Sequence, residues 1–175
     1  MLKTIAIIVV VVIAAALIFA ATKPDSFRIE RSTQIKAPAA KVFALINDFH
    51  QWEAWSPWEK IDPALKRTYG GAASGTGAVY EWSGNKDIGQ GRMEIVESTP
   101  TSKVALKLDF MKPFEAHNMV EFTLAEQGGA TTLTQAMYGP SPYMSKVMSL
   151  FFSMEKMVGP KYEEGLASIK AIAEK

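Results

Sequence analysis

The sequence predicts an α+β protein: a curved antiparallel sheet wrapped around a long C-terminal helix, plus one N-terminal transmembrane helix. Three observations carry this. An apolar run without charge extends from Ile5 to Ala21. From residue 65 the hydrophobic period becomes two, broken by glycine turns. From Ser141 to Lys175 apolar residues step by threes and fours.

The run from Ile5 to Ala21 (IAIIVVVVIAAALIFAA) would extend roughly 26 Å as a helix, the short end of a bilayer's hydrocarbon core. A cleaved secretory signal is the competing reading. It calls for a shorter run and small residues at both positions flanking the −2 site, whereas a cut after Ala20 or Ala21 leaves Ile18 or Phe19 at −3. The uncleaved anchor fits better. Residues 1–24 are therefore assigned to the anchor and 25–175 to one ligand-binding domain. The flanking charges disagree about orientation. Lys3 favours a cytoplasmic tail, while Lys23, Arg28, Arg31 and Lys36 favour a cytoplasmic domain, so the side of the membrane is left open.

Phe27 to Lys36 alternates as a strand, with Arg31 as the one misfit on its apolar side. Ala37-Pro38 opens a helix whose Ala39, Val42, Phe43, Ile46 and Phe49 share a face. Strands follow at Leu65–Tyr69, Ala78–Ser83, Gly91–Ser98, Lys103–Met111, Asn118–Ala125 and Thr131–Tyr138. Val104, Leu106, Leu108 and Phe110 face one way, and Val120, Phe122 and Leu124 join them. The apolar stripe of residues 141–175 keeps its phase across Gly159-Pro160, which predicts one long helix kinked there.

The segment Ile35 to Phe49 (IKAPAAKVFALINDF), then Trp52 and Trp55 to Trp58 (WSPW), resembles the START-like helix-grip superfamily, also called SRPBCC or polyketide cyclase/dehydrase. Tyr80 to Asn85 (YEWSGN), Gly89-Gln90-Gly91 and the closing Gly159, Gly165 and Ile169 look like a bacterial subgroup with an N-terminal membrane segment. The resemblance covers residues 27–175. It implies a cavity between sheet and long helix, and members that carry lipids, bind hormones, cyclise polyketides or assist a chaperone. It implies no shared catalytic residue.

Chemistry is sparse. A formal charge of +1 gives no reason to expect nucleic acid, and there is no cysteine for thiolate or disulfide chemistry. The loop Gly70–Gly77 lacks the lysine and following helix of a phosphate-binding loop. His50 and His117 are far apart, so neither a metal nor any other cofactor is expected. Glu81 alternates with Tyr80 and Trp82 and falls on the opposite, wet face. Glu163-Glu164 reads as a helix surface pair.

The expected ligand cavity is lined by Trp55, Trp58, Trp82, Phe110, Phe114, Phe122, Met137, Met148, Phe151 and Phe152. Trp52, Trp55 and Trp58 read first as core and edge filler, with gating of the cavity or contact with a membrane surface as the functional alternative. Phe110, Met111, Pro113 and Phe114 are the candidate opposite lip, and the methionines of the long helix are either core or an adaptable wall. The expected function is binding or carrying a hydrophobic small molecule, lipid-like or aromatic, without catalysis and next to a membrane. The alternatives are a cyclase/dehydrase-type enzyme, with Gln135, Asn118 or Tyr138 assisting, and a protein-interaction module.

Overall fold

The computed structural model describes residues 1–175. Leu2–Ala21 forms helix α1, 20 residues long and with a mean hydropathy of 3.1. Apart from Ala16 and Ala20, its side chains are exposed, and no polar stripe marks a face for packing. It is long and apolar enough to cross a membrane.

The chain then enters β1 (Ser26–Ile35), helix α2 (Ala39–Ile46), a 3-10 turn at Phe49–Gln51, the short helix α3 (Trp52–Trp55) and a second 3-10 turn at Pro57–Lys60. Six strands follow: β2 (Lys66–Gly71), β3 (Ala78–Ser83), β4 (Gln90–Thr99), β5 (Lys103–Lys112), β6 (Ala116–Gln127) and β7 (Ala130–Pro140). All pair antiparallel in the order β1-β7-β6-β5-β4-β3-β2. Each expected strand is present, within about two residues at either end. Bulges at Gln90/Gly91 and Ile95/Glu97 add local bend to β4, which helps the sheet curl.

The C-terminal segment departs from expectation. It is two helices, α4 (Tyr143–Met148) and α5 (Met154–Ala173), separated at Ser149–Ser153. Ser153 caps α5, its hydroxyl accepting from the Lys156 amide at 3.3 Å. Pro160 is accommodated inside α5, so the Gly159-Pro160 pair is not the interruption. Gly159 is glycine for a different reason: a Cβ there would run into the guanidinium of Arg31.

α5 lies along β1 and runs in the same direction. Arg31 binds Glu155 and Glu163 near the start of α5, while Lys170 donates to the Gln34 carbonyl and Glu174 accepts from the Lys36 amide near its end. Arg31, the misfit of the β1 pattern, is thus the clasp between strand and helix. Glu163 belongs to that clasp, whereas Glu164 pairs with Lys161 at the surface.

Between sheet and α5 the core is continuous. Ile29, Met137, Val120, Leu106 and Ile95 form one row across five strands. Trp52 and Trp55 plug the space beside α5. Their indole N–H groups donate to the carbonyls of Ile46 and Leu45, and both rings meet Phe122 edge-on. Gly165 lets α5 approach Trp55 and Pro57.

Candidate functional site

The register divides the concave face into rows. Toward the C-terminal end of β1 the apolar side chains of the sheet, Ile35, Leu133, Phe122 and Val104, are covered. Toward its N-terminal end the cover is incomplete. There Phe27, Leu108, Met93 and Phe110 face inward, yet all four are only partly buried. Two of their neighbours in register, Gly139 and Gly91, are glycines where other side chains press in: Asn118 occupies the place of a Cβ at Gly139 and the Trp82 ring that at Gly91. The result is a half-covered apolar strip, a shallow trough, at one end of the cup, with Trp82, Phe110 and Leu108 beneath it. Trp82 is fixed by its indole donating to the Ile88 carbonyl at 3.2 Å and by an edge-on contact with Phe110 at 5.8 Å.

This end of the sheet collects several elements. β1 starts there directly after α1, β7 ends there before α4, α5 begins there, and the β5–β6 turn lies there. The glycine loop between β2 and β3 is at the opposite end, where the Gly75 amide donates to the Asn47 carbonyl at 2.8 Å.

The expected cavity residues separate into two groups. Trp55, Trp82, Phe122 and Met137 are buried in the cup, with Phe110 and Trp58 half-buried. Phe114, Met148, Phe151 and Phe152 lie on the surface instead, with exposures of 77%, 46%, 74% and 60%. The break at Ser149–Ser153 is the physical cause for the last three: it turns the apolar stripe outward before α5 starts. Phe114 belongs to the β5–β6 turn and the other three to α4 and the segment just after it, all connected to the trough end of the sheet.

Polar groups inside the cup form two clusters that sequence reasoning did not assemble. In the first, Glu59 is nearly enclosed, and its carboxylate accepts from Arg67 Nε and from the Tyr80 hydroxyl, both at 2.6 Å. Burial, then the Glu59 hydrogen bond, pushes the Tyr80 phenol far above its ordinary range, and Glu59 likewise raises the Arg67 guanidinium. Both carboxylate oxygens are engaged, so this cluster acts as a strut under the β2–β3 edge. In the second, Gln135 and Tyr162 face each other across the gap between β7 and α5. Burial raises the Tyr162 phenol, and the Gln135 side-chain oxygen has no partner at all.

Of the other candidates, Asn118 is buried on the concave face, and Tyr138 lies on the outer face with Arg28 over its ring. His50 stacks on Tyr69, and His117 hydrogen-bonds Asp109 on the outer face, so the histidines are not brought together. Two grooves also mark the outer face of the sheet. One, of about 550 Å³, runs past Lys107, Asp109, His117 and Tyr138; the other, of about 290 Å³, runs past Lys66, Glu81 and Gln90.

This architecture is that of the helix-grip class. Residues 26–174 match the family described as polyketide cyclase/dehydrase and lipid transport, and the chain belongs to that family. No curated protein sequence matches it. Among solved structures it is similar to protein MLL2253 from Mesorhizobium loti, with 18% identity and a TM-score of 0.61 over 85% of this chain and 100% of that one. The di-domain ARO/CYC protein BexL from the BE-7585A biosynthetic pathway aligns at 15% identity and a TM-score of 0.63, over 90% of this chain and 53% of that one. The Aha1 dimer from Colwellia psychrerythraea aligns at 14% identity and a TM-score of 0.58, over 85% and 96%. At these identities the shared property is the fold.

Proposed function

We propose that this protein is a membrane-tethered binder or carrier of a hydrophobic small molecule, lipid-like or aromatic, seated in the trough between the concave sheet and α5. The supporting observation is the set of inward-facing but incompletely covered side chains, Phe27, Met93, Leu108 and Phe110, that lie together at one end of the core. Uncovered apolar surface on the inside of a cup is what such a ligand would bury. Trp82 and Phe110 form the floor, backed by Phe122, Met137 and Trp55, with Trp58 further along the aromatic wall. Phe114, Met148, Phe151 and Phe152 lie outside it, on segments connected to the same end of the sheet. The family's description embraces lipid transport, and α1 supplies the tether.

The test compares full-length protein with Leu108→Trp, which fills the trough from its middle. Denatured extracts are read by mass spectrometry, and binding of fluorescent fatty-acid and aromatic probes is measured. A hydrophobic molecule retained by the wild type and lost from Leu108→Trp is expected. Identical extracts and identical probe binding would remove the proposal.

One observation favours a second reading, a cyclase/dehydrase-type enzyme. The unpartnered Gln135 oxygen is a buried acceptor near the phenol of Tyr162, and such a group can orient a substrate's hydroxyl. Turnover of a polyketide-like aromatic probe that Gln135→Leu abolishes would establish it in place of the carrier.

A further inference from the structure

The surface from Tyr143 to Met157 is unusual for a protein in water. Met144, Phe151, Phe152 and Met157 are each at least 60% exposed, and Tyr143, Met148 and Met154 are nearly half exposed. So many large apolar side chains on consecutive turns make a patch that requires a covering partner. Phe114, on the β5–β6 turn, and Met111, near the end of β5, are exposed at the same end of the sheet.

What covers this patch is fixed by where it is attached. α4 packs against the last turns of α1, the helix able to cross a membrane. The Tyr143 hydroxyl donates to the Leu17 carbonyl at 3.1 Å, Lys23 Nζ donates to Ser149 Oγ at 2.8 Å, and Lys146 pairs with Asp25. Leu17 lies four residues before the end of α1, about 6 Å along its axis. An amphipathic segment resting in a bilayer interface sinks about 5–10 Å. The apolar side chains of α4 are thus held at the depth where headgroups give way to acyl chains. The charges of Lys23, Asp25 and Lys146 gather at the domain end of α1, where a water boundary belongs.

We infer that α4 and the Phe151–Met157 turn form a platform embedded in the lipid bilayer interface beside α1, with Phe114 as a second contact. The platform fixes the tilt of the domain and turns the open end of the trough toward the membrane. A ligand with a long apolar part then passes between bilayer and trough without crossing water. The inference rests on the reading of α1 as a tether; the depth of the platform is independent of whether the trough holds a ligand.

The chain has no cysteine, so single-cysteine labelling is clean. Full-length Phe151→Cys, Phe152→Cys, Val10→Cys and Ala125→Cys are labelled with an environment-sensitive fluorophore. Each is placed in phosphatidylcholine nanodiscs carrying doxyl quenchers either near the headgroup, for residues 151, 152 and 125, or at the acyl-chain end, for residue 10. Ala125 is exposed at the far end of β6 and reports water. Blue-shifted emission and several-fold stronger quenching at residues 151 and 152 than at 125 is the expected result. Quenching at residue 10 but not at 151 or 152 would leave the tether standing and overturn the platform. Shielding from aqueous iodide at 151 without lipid quenching, with two copies per disc, would replace the bilayer by a second copy of the chain. Loss of quenching at residue 10 as well would remove tether and platform together. The ligand extract from the same discs reports separately on the trough.

Discussion

The guanidinium of Arg31 on β1 lies directly beneath Gly159 of α5, in the space a Cβ at residue 159 would need. Nε donates to Glu163 at 2.7 Å and Nη2 pairs with Glu155, so a strand and a helix are joined by one side chain gripping two carboxylates. The glycine sets how close the helix comes.

Gly159→Ala should therefore destabilise the domain by at most about 1 kcal/mol, since the Arg31 guanidinium must shift and loosen its grip on Glu155 and Glu163. Elsewhere in a helix, glycine to alanine is favourable, so the sign identifies the close approach. Urea unfolding measures it. Arg31→Ala gives up the clasp but vacates the space, so in that background Gly159→Ala should cost nothing further, and an equal loss there would contradict the packing argument.

How far the sequence reveals these relationships depends on the kind of signal involved. Val104, Leu106, Leu108 and Phe110 on β5, and Val120, Phe122 and Leu124 on β6, alternate cleanly because one face is wet. Their shared inward face is legible from that alternation alone. The break at Ser149–Ser153 was hidden because the apolar stripe continues through it. Half of that stripe faces out rather than in, and periodicity does not distinguish a core from any other apolar surroundings. Ser153 was the available cue, a capping residue one position before α5. Arg31 looked like a flaw until Glu155 and Glu163, two helical turns apart, were seen opposite it. The Glu59 cluster joins a turn, an edge strand and its neighbour, and no local pattern connects residues 59, 67 and 80.

Glu59→Ala should cost about 2–3 kcal/mol. Breaking the pair leaves the buried Tyr80 hydroxyl without its acceptor, and we take the lower end because Arg67 keeps Glu53 at 3.1 Å, the Leu65 carbonyl and some contact with water. Equilibrium unfolding would read the loss. Glu59→Gln retains one acceptor and should fall between. A Glu59→Ala variant as stable as wild type would show that the strut carries nothing.

Alkaline pH should weaken the fold through two phenols. Burial holds Tyr80 and Tyr162 above the ordinary value of 10.0, and the Glu59 carboxylate adds to the effect at Tyr80. Unfolded tyrosines release their protons near that pH while the folded ones keep theirs. The folded state then binds more protons, and stability falls as pH rises. The contribution is intact below about pH 10 and is lost on climbing from there toward the raised folded values, by at most about 1.4 kcal/mol per pH unit per phenol. Urea midpoints from about pH 8 to about pH 11 should fall steeply only in the upper part of that range. Tyr162→Phe should flatten the fall, and an unchanged slope would assign it to other groups.

Gln135 gives a prediction whose sign separates a structural residue from a binding one. Its amide has Tyr162 on one side and nothing on the other, where the side-chain oxygen is buried without a donor. Turning the amide over exchanges the atoms but leaves one end unpaired. An unsatisfied buried polar group costs about 1–3 kcal/mol, and a shape-matched apolar replacement removes that cost. Gln135→Leu should therefore leave the ligand-free protein as stable as wild type or more so, by about 1–2 kcal/mol, in thermal and urea melts. Gln135 lies one row deeper than the sealed Ile29–Met137 row, so the same variant should leave probe binding in the trough unchanged. Weakened binding of only those ligands that carry a hydroxyl or amide donor would mean that a ligand reaches past that row. Loss of stability on Gln135→Leu would mean that the amide is satisfied in the folded protein.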